Sequence, residues 1–255
     1  AIKKSGRPIV LSLSPGGFVD DTQLDFFKLG NMLRVTHDIW DEQIGLDQCF
    51  KAWRKWQGKE DANFFIDMDM IPFGELQVMN PVPEGLTGNE SNAEIKQMKK
   101  EGKLKNIELL SGKGFHRQSQ FTQDEMRTFI TMRALAASPL MMGGNLLTID
   151  DFSLSLLTNK EMIACNQNAV MGSLKYEQGK IEIWNTPQKN SNDGWIGIFN
   201  RNIKEAQQYV LSASELGLAN EQYNLKDIWG NADLKFSQEV LIPANGVIFV
   251  RYTVK

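Results

Sequence analysis

The sequence lacks the features that would place the chain in a membrane, on nucleic acid or in a disulfide scaffold. No run of about 18 apolar residues is present, the length that a membrane-spanning helix needs. The 28 Lys and Arg residues do not outnumber the 31 Asp and Glu residues, and a net charge of −3 gives no attraction for nucleic acid or an anionic membrane. The two cysteines, Cys49 and Cys165, form no disulfide framework and no metal or redox spacing. The opening residues, AIKKSGRPIV, predict no signal peptide, because they contain no long apolar segment and no cleavage signature.

The 255 residues, 42% of them hydrophobic, suffice for one large domain or two smaller ones with a buried core. Up to about residue 172, short apolar runs alternate with longer amphipathic ones. Runs typical of strands are RPIVLSLSP (7–15), LRVTHD (33–38), ANFFIDMDM (62–70) and LMMGGN (140–145). Strands alternating with helices predict βα units in a parallel sheet, here half of an eight-stranded α/β barrel, over residues 1–172.

Three segments between these runs have helical spacing. DDTQLDFFKLGNML (20–33) has Phe26, Leu29 and Leu33 at that spacing. DEQIGLDQCFKAWRKWQ (41–57) places one apolar face on a helix, formed by Leu46, Cys49, Phe50, Trp53 and Trp56. TQDEMRTFITMRALAAS (122–138) begins with the capping-box pair Thr122 and Glu125 and predicts a buried stripe of Met126, Phe129, Ile130, Ala134 and Ala137. A polar insertion over about 76–118 interrupts the pattern, and its lysines at 96–105 predict a solvated helix face.

From residue 173 to 255 the pattern changes to short alternating strands separated by Gly, Asn and Pro turns. The predicted strands are KIEIWNT, DGWIGIFNR, AQQYVLS, YNLKDIW, DLKFSQEVLIP and GVIFVRYTV. This spacing is typical of an antiparallel β-sandwich, and we expect a second domain there.

Candidate site residues follow the predicted barrel strands, because the active site of such a barrel lies at the carboxyl ends of its strands. They are Ser12 and Ser14, Arg34 and Asp38, Asp67 and Asp69, and Asn145. Carboxylates gathered with an arginine suit glycoside hydrolysis, in which one carboxyl protonates the leaving oxygen. The same residue types also cap helices and close turns, so spacing alone leaves both interpretations open.

The remaining polar and aromatic residues give weaker signals. His37 and His116 are too far apart in sequence, and lack local ligand partners, to indicate a zinc site, so we expect each on the surface or in a loop. Trp53 and Trp56 are predicted to lie in the core. Trp40, two residues after Asp38, is equally consistent with a sugar-stacking platform and with packing.

The segment EMRTFITMRALAASPLMMGGNLLTIDDFSLSLLTNKEMIACNQNAVMG resembles the last barrel strand and helix of glycoside hydrolase family 27, the α-galactosidases and α-N-acetylgalactosaminidases. GRPIVLSLSPG resembles the fifth barrel strand of that family, RVTHDIWD the sixth and FFIDMDM the seventh, and the terminal strands resemble its β-domain. The resemblance implies the C-terminal half of a (β/α)8 barrel followed by a sandwich, acting on a carbohydrate without cofactor or metal. Relatives of this type imply a secreted or periplasmic setting for the full-length parent.

The resemblance also implies roles for single residues. Asp38 takes the general acid/base position, Arg34 the sugar-binding arginine four residues earlier, and Asp69 an aspartate lining the same pocket. Ser14 falls where relatives read the 2-position of the sugar, but SLSPG differs from their tryptophan-containing loop, so the preference for galactose or N-acetylgalactosamine does not carry over. NQNAVMG departs from the family's common NQD pattern. β-L-Arabinopyranosidase is a close alternative, and a non-catalytic carbohydrate-binding fragment is a rival of another class.

The family's nucleophile, an aspartate in a Lys-x-Asp context on the fourth strand, has no counterpart that fits. Lys59-Glu60-Asp61 matches the letters but precedes the seventh strand, at the wrong end of a barrel. We therefore expect strands one to four and the nucleophile to lie outside these residues. The chain is then expected to sit against the missing N-terminal half or to self-associate, and to be inactive alone.

Overall fold

The first part of the chain alternates parallel strands with helices in the computed structural model, which describes residues 2–17, 19–81, 92–103 and 114–255. Its first elements are β1 (Ser12–Leu13), α1 (Leu24–Phe27), β2 (Met32–Arg34), α2 (Gln43–Trp56) and β3 (Phe65–Asp67). The strands form a parallel sheet in the order β1-β2-β3, with Leu33 opposite both Leu13 and Ile66. Their carboxyl ends therefore meet at one edge.

The second predicted helix is confirmed and supplies much of the core around this sheet. All five residues of its predicted apolar face are buried in α2, and Trp53 and Trp56 are 0% and 1% exposed. Cys49 on this helix is a buried free thiol, as is Cys165 further along the chain, in agreement with the predicted absence of a disulfide framework.

The first predicted helix is found only over the first half of its predicted length. Residues Asp21–Gln23 form a 3-10 turn, and α1 adds a single turn. Phe26 within α1 is 66% exposed, and Leu29 after it is 78% exposed. The helix ends early because Asn31 already joins the sheet, its N–H donating to the carbonyl of Leu11 at 2.8 Å. Gly30 allows this turn, since a Cβ there would lie 3.0 Å from the Leu13 side chain.

The predicted polar insertion contains β4 (Glu75–Pro81), α3 (Asn92–Lys100) and β5 (Gly114–Gln118). β4 and β5 pair as an antiparallel hairpin, which the sequence reading did not foresee. Lys100, the last residue of α3, is exposed, as expected for a solvated helix face, whereas Lys103 is exposed but follows the helix. The rest of the predicted lysine face lies outside the described side chains.

The helix α4 (Gln123–Leu135) begins and ends as its sequence dictates. Thr122 and Glu125 form the predicted capping box. At the other end Ala137 adopts a left-handed φ of +48°, and the N–H of Ser138 donates to the carbonyl of Arg133 at 3.1 Å, the pattern of a Schellman motif. The predicted stripe is buried, but so is nearly the whole helix, including Arg133.

The predicted strand LMMGGN is reduced to a single parallel bridge between Ile71 and Met142. Gly144 explains why the chain leaves the sheet there: a Cβ would lie 1.9 Å from the carbonyl oxygen of Phe73, so only glycine allows the close crossing. Two short helices follow, α5 (Asp151–Leu157) and α6 (Lys160–Gln167). Among the described residues, the helices are too short or too polar to cross a bilayer.

Residues 173–255 form two packed antiparallel sheets. The strands are β6 (Ser173–Gln178), β7 (Ile181–Pro187), β8 (Gly194–Asn200), β9 (Gln207–Val210), β10 (Tyr223–Asp227), β11 (Ala232–Leu234), β12 (Glu239–Ile242) and β13 (Val247–Val254). Six of them are ordered β11-β10-β13-β8-β7-β6, and β12 pairs with β9. The predicted run DLKFSQEVLIP splits into β11 and β12, because the left-handed turn at Ser237 (φ +63°) separates them, and β6 was not predicted.

The larger sheet is buried on both faces. Ile196 and Ile198 of β8 point into the sandwich interior, while Trp195 and Phe199 of the same strand belong to the core shared with the helices. This alternation explains why β8 reads as a continuous apolar run and not as a half-polar strand. The larger sheet therefore contributes one face to the sandwich core and the other to the core shared with the helices.

Tryptophan stacking joins the barrel part to the sandwich. The rings of Trp53 on α2 and Trp184 on β7 stack at 3.8 Å with an interplanar angle of 19°, and Trp53 Nε1 donates to the carbonyl of Gly172 at 2.9 Å. Arg201 lies 3.7 Å above the Phe50 ring. The boundary between residues 172 and 173 stays a prediction, because the two parts share one core.

Candidate active site

The candidate site begins at the carboxyl ends of β2 and β3. Arg34, the last residue of β2, is in register with Asp67, the last residue of β3, and the N–H of Val35 donates to the carbonyl of Asp67 at 2.9 Å. Asp38 follows Arg34 by four residues and Asp69 follows Asp67 by two. Parallel pairing thus brings two loops with acidic residues to the same edge.

Arg34 joins the two loops directly. Its Nη2 donates to Asp38 Oδ1 at 2.7 Å and its Nη1 to Asp69 Oδ1 at 3.2 Å. Because one guanidinium binds both carboxylates, Asp38 and Asp69 lie close together at the carboxyl ends of neighbouring strands. The predicted convergence of Arg34, Asp38 and Asp69 is therefore present in the structure.

The two carboxylates differ in exposure. The side chain of Asp38 is 76% exposed, whereas those of Arg34 and Asp69 are 21% and 17% exposed. Asp38 can therefore reach a molecule arriving from solvent, while Asp69 is embedded in the loops. A reactive group needs this access, and a supporting group does not.

Asp69 has an unusual backbone for a residue with a side chain. Its φ is +73°, in the left-handed region that aspartate tolerates better than most residues. In this conformation Asp69 Oδ2 accepts a 2.7 Å hydrogen bond from the N–H of Ile39, the residue after Asp38. Asp69 therefore holds both Arg34 and the loop that carries Asp38.

Asp67 lies beneath this arrangement and is 7% exposed. Its Oδ1 accepts the N–H of Asp69 at 2.8 Å. Burial raises the pKa of the Asp67 carboxyl, because desolvation penalises its charge, and the hydrogen bond from Asp69 and the charges of Arg133 and Arg34 only partly offset the rise. Asp67 therefore supports the loop and is poorly placed to meet a ligand.

The other predicted candidates are less closely tied to this group. Ser14 follows β1, the neighbour of β2, and is exposed like Ser12; no hydrogen bond between described residues joins its hydroxyl to Arg34, Asp38 or Asp69. Asn145 caps a short 3-10 helix and donates to Glu75 at 3.2 Å. Its role as a helix cap therefore explains the presence of Asn145 without a catalytic role.

The histidines and Trp40 also have definite places. His37 and His116 are both exposed, and His116 Nδ1 lies 3.4 Å from Glu75 Oε1. Within the described part of the chain, no cluster of three or more His, Cys, Asp and Glu side chains could hold a metal ion. Trp40 is partly buried, which leaves its role in sugar stacking open.

The Lys59-Glu60-Asp61 triplet lies away from the site. Asp61 forms a backbone bridge with Phe64, before β3 begins, so it sits at the amino end of the strand. The side chain of Lys59 is paired with Asp21, and Glu60 accepts the N–H of Met171 at 3.1 Å. These residues face the edge opposite to Asp38.

Sequence reasoning missed two charged residues near the site. The side chain of Asp41 is fully buried and receives Arg117 of β5 through two hydrogen bonds, at 2.5 and 2.8 Å, together with the N–H of Gln120. Arg133 of α4 is also fully buried. The pairing of Asp41 and Arg117 spans 76 residues, so no local pattern could have indicated it.

Comparison with known proteins relates this chain to a family. The model of the alpha galactosidase C-terminal beta sandwich domain matches residues 178–252. Alpha-galactosidase 2 of Arabidopsis thaliana is 31% identical over 232 residues, covering 90% of this chain and 47% of that protein. A probable alpha-galactosidase of Dictyostelium discoideum is 24% identical over 265 residues, covering 99% of this chain and 56% of that protein.

A solved structure agrees over the full length of the chain. The β-L-arabinopyranosidase of Geobacillus stearothermophilus, a member of glycoside hydrolase family 27, superposes with a TM-score of 0.78 and 27% identity, covering 100% of this chain and 52% of that one. The chain is related to glycoside hydrolase family 27. It spans about half the length of the curated family relatives that it matches. The predicted fold class, half of a family 27 barrel followed by its β-sandwich, is confirmed.

Proposed function

We propose that this chain is the C-terminal part of a retaining α-galactosidase-like glycoside hydrolase that removes terminal α-linked galactosyl residues. The observation that carries the proposal is the exposed Asp38, held by Arg34 beside Asp69 at the carboxyl ends of neighbouring strands. The 31% identity to an Arabidopsis alpha-galactosidase supports the proposed substrate class. The proposed partners are the carbohydrate and the remainder of the barrel.

Asp38 is the general acid/base in this proposal. It protonates the glycosidic oxygen as the leaving group departs, and then, as a carboxylate, it activates water against the glycosyl-enzyme ester. In the resting site the bond from Arg34 uses Asp38 Oδ1, so Oδ2 is available to a glycosidic oxygen. Arg34 also offsets the negative charge of Asp38 after the proton has left.

The nucleophile is proposed to come from a strand outside these 255 residues. Retaining glycosidases need a second carboxylate on the opposite side of the anomeric carbon. Asp69 is a poor substitute, because its two oxygens already accept bonds from Arg34 and Ile39. We assign Arg34 and Asp69 to binding the sugar hydroxyls and Ser14 to the rim near its 2-position, with the 2-substituent left open.

β-L-Arabinopyranosidase activity is the second candidate, favoured by the superposition of the whole chain on 52% of the Geobacillus enzyme. β-L-Arabinopyranose has the ring configuration of α-D-galactopyranose without the hydroxymethyl group at C5. The same acid/base could therefore serve either sugar, and the space beside C5 would decide between them.

The test is a hydrolysis assay on the protein that the complete gene encodes, with aryl α-D-galactopyranoside and aryl β-L-arabinopyranoside side by side. We expect cleavage of one or both, and a loss of about 10²–10⁴-fold in Asp38→Asn. Asp233→Asn, an exposed aspartate of β11 in the sandwich, is the matched control and should keep full activity. Galactose binding without cleavage of either glycoside would contradict the proposal in favour of a carbohydrate-binding module.

A further inference from the structure

Arg133 is a charged residue in a place where helices normally bury apolar ones. It belongs to α4, is 0% exposed, and its guanidinium lies 4.7 Å from the centre of the Phe129 ring. An unpaired buried charge destabilises the fold, so a buried arginine needs partners whose interactions offset the free energy of its desolvation. The partners of Arg133 therefore indicate its role.

Two contacts of Arg133 lead to the loop that carries Asp69, and its Nη2 also donates to the Cys49 sulfur at 3.6 Å. Arg133 Nη2 donates to the carbonyl of Met70 at 3.3 Å. Arg133 Nη1 donates to Ser138 Oγ at 3.3 Å, and the same Oγ accepts the N–H of Met68 at 3.1 Å. The Arg133 guanidinium thus holds both neighbours of Asp69: it binds Met70 directly and Met68 through the hydroxyl of Ser138.

Holding both neighbours fixes the conformation of the residue between them. Asp69 has a left-handed backbone, which persists only where the surroundings enforce it. From this conformation its carboxylate reaches Arg34 and the N–H of Ile39. A relaxed backbone at Asp69 would turn the carboxylate away from both.

The geometry points to Arg133 as a positioning residue for the acid/base Asp38, acting through Ser138, Met68, Met70 and Asp69. The inference rests on the proposed function and deepens it, because it names a residue that touches no substrate. The charges of Asp67 and Asp69 partly offset the effect of burial on the Arg133 guanidinium. A neutral side chain of equal volume would fill the space but could not hold the Asp69 loop.

The test compares Arg133→Met, Arg133→Lys and the control Arg127→Met in the complete gene product. Arg127 lies on the same helix and is paired with Asp124 at the helix start. In Arg133→Met we expect kcat per folded molecule to fall about 10²-fold, the cost of a 1 Å misplacement, and KM to rise as Arg34 shifts. Arg133→Lys keeps a charge and one donor and should recover part of the loss, while Arg127→Met should change neither constant.

A purely structural role for Arg133 would lower the unfolding midpoint without changing kcat or KM per folded molecule, and that outcome would overturn the inference. If Arg133→Met does not fold, Ser138→Ala removes one arm of the same arrangement and should change the constants in the same direction; unchanged constants in that variant would also overturn it.

A crystal structure of whichever variant folds separates this inference from the proposed function. We expect Asp69 to leave its positive φ and to lose its bonds to Arg34 and Ile39. If Asp69 keeps both bonds, the inference is wrong even where activity falls. If the unaltered protein cleaves no glycoside, the proposed function fails, and the crystal structure still decides whether Arg133 positions the loop.

Discussion

Replacing Trp53 by leucine tests whether the barrel part and the sandwich unfold as one body. Trp53 is fully buried, stacks on Trp184 at 3.8 Å and donates to the carbonyl of Gly172 at 2.9 Å. An aromatic side chain buries about 150–250 Å², which at about 25 cal/mol/Å² contributes roughly 4–6 kcal/mol. Leucine recovers about 1.5–3 kcal/mol of this. The lost indole hydrogen bond costs about 1 kcal/mol more.

We therefore expect Trp53→Leu to lower the free energy of unfolding by about 3–4 kcal/mol. The assay is denaturant unfolding followed by far-UV circular dichroism, with hydrogen exchange read by mass spectrometry on peptides from both parts. A double-mutant cycle with Trp184→Leu should give a coupling of about 0.5–1.5 kcal/mol for the stacked pair.

The reasoning is refuted if peptides of β7 and β8 keep their protection while those of α2 lose it at lower denaturant. That result would mean that the parts unfold separately despite the shared core. A coupling free energy near zero would show that the stacked rings contribute only as independent apolar surface. Trp40→Leu is a useful control, because Trp40 is only partly buried.

Three further predictions concern the site and the chain as a whole. In the complete gene product, Asp38→Asn should slow the glycosylation step less for a substrate with a very good leaving group than for a natural glycoside, as pre-steady-state kinetics would show; equal losses would argue against proton transfer by Asp38. Burial raises the pKa of Asp67 above its unfolded value, so the contribution of this carboxyl to stability is complete below the unfolded pKa and is lost as pH rises through the folded pKa. Thermal melts across pH should show this decline in the unaltered protein and not in Asp67→Asn. An unchanged pH profile in the variant would contradict the prediction. The 255 residues alone should self-associate in analytical ultracentrifugation through the open edges of their parallel sheet and should not cleave an aryl α-galactoside; a monomer with enzymatic turnover would contradict both expectations.

The elements that a sequence can predict here are those whose signals are local. The capping box at Thr122 and the apolar face of α2 follow from spacing alone, and both are found. The convergence of Arg34, Asp38 and Asp69 follows from placing acidic residues after parallel strands, strengthened by the family resemblance. Their catalytic roles remain predictions.

The features that sequence missed depend on contacts between distant segments. Helical spacing places Arg133 within the predicted apolar stripe, four residues after Phe129 and three after Ile130, but the distant partners that allow a charge to be buried there have no local signal. The left-handed conformation of Asp69 has no signal in DMD, because its cause lies at Arg133 and Ser138. Phe26 and Leu29 have helical spacing, but the pairing of Asn31 with Leu11 ends the helix before that spacing can matter.

The ion pair of Asp41 and Arg117 has a consequence for how the surroundings of the candidate site can vary. It fastens the end of the β4–β5 pairing that contains Arg117 to the residues just after Asp38. Each doubling of a flexible loop costs only about 0.6 kcal/mol in closure entropy. We therefore expect that exchanging the sequence between β4 and β5 for segments of other lengths would alter what approaches the site and leave the position of Asp38 unchanged.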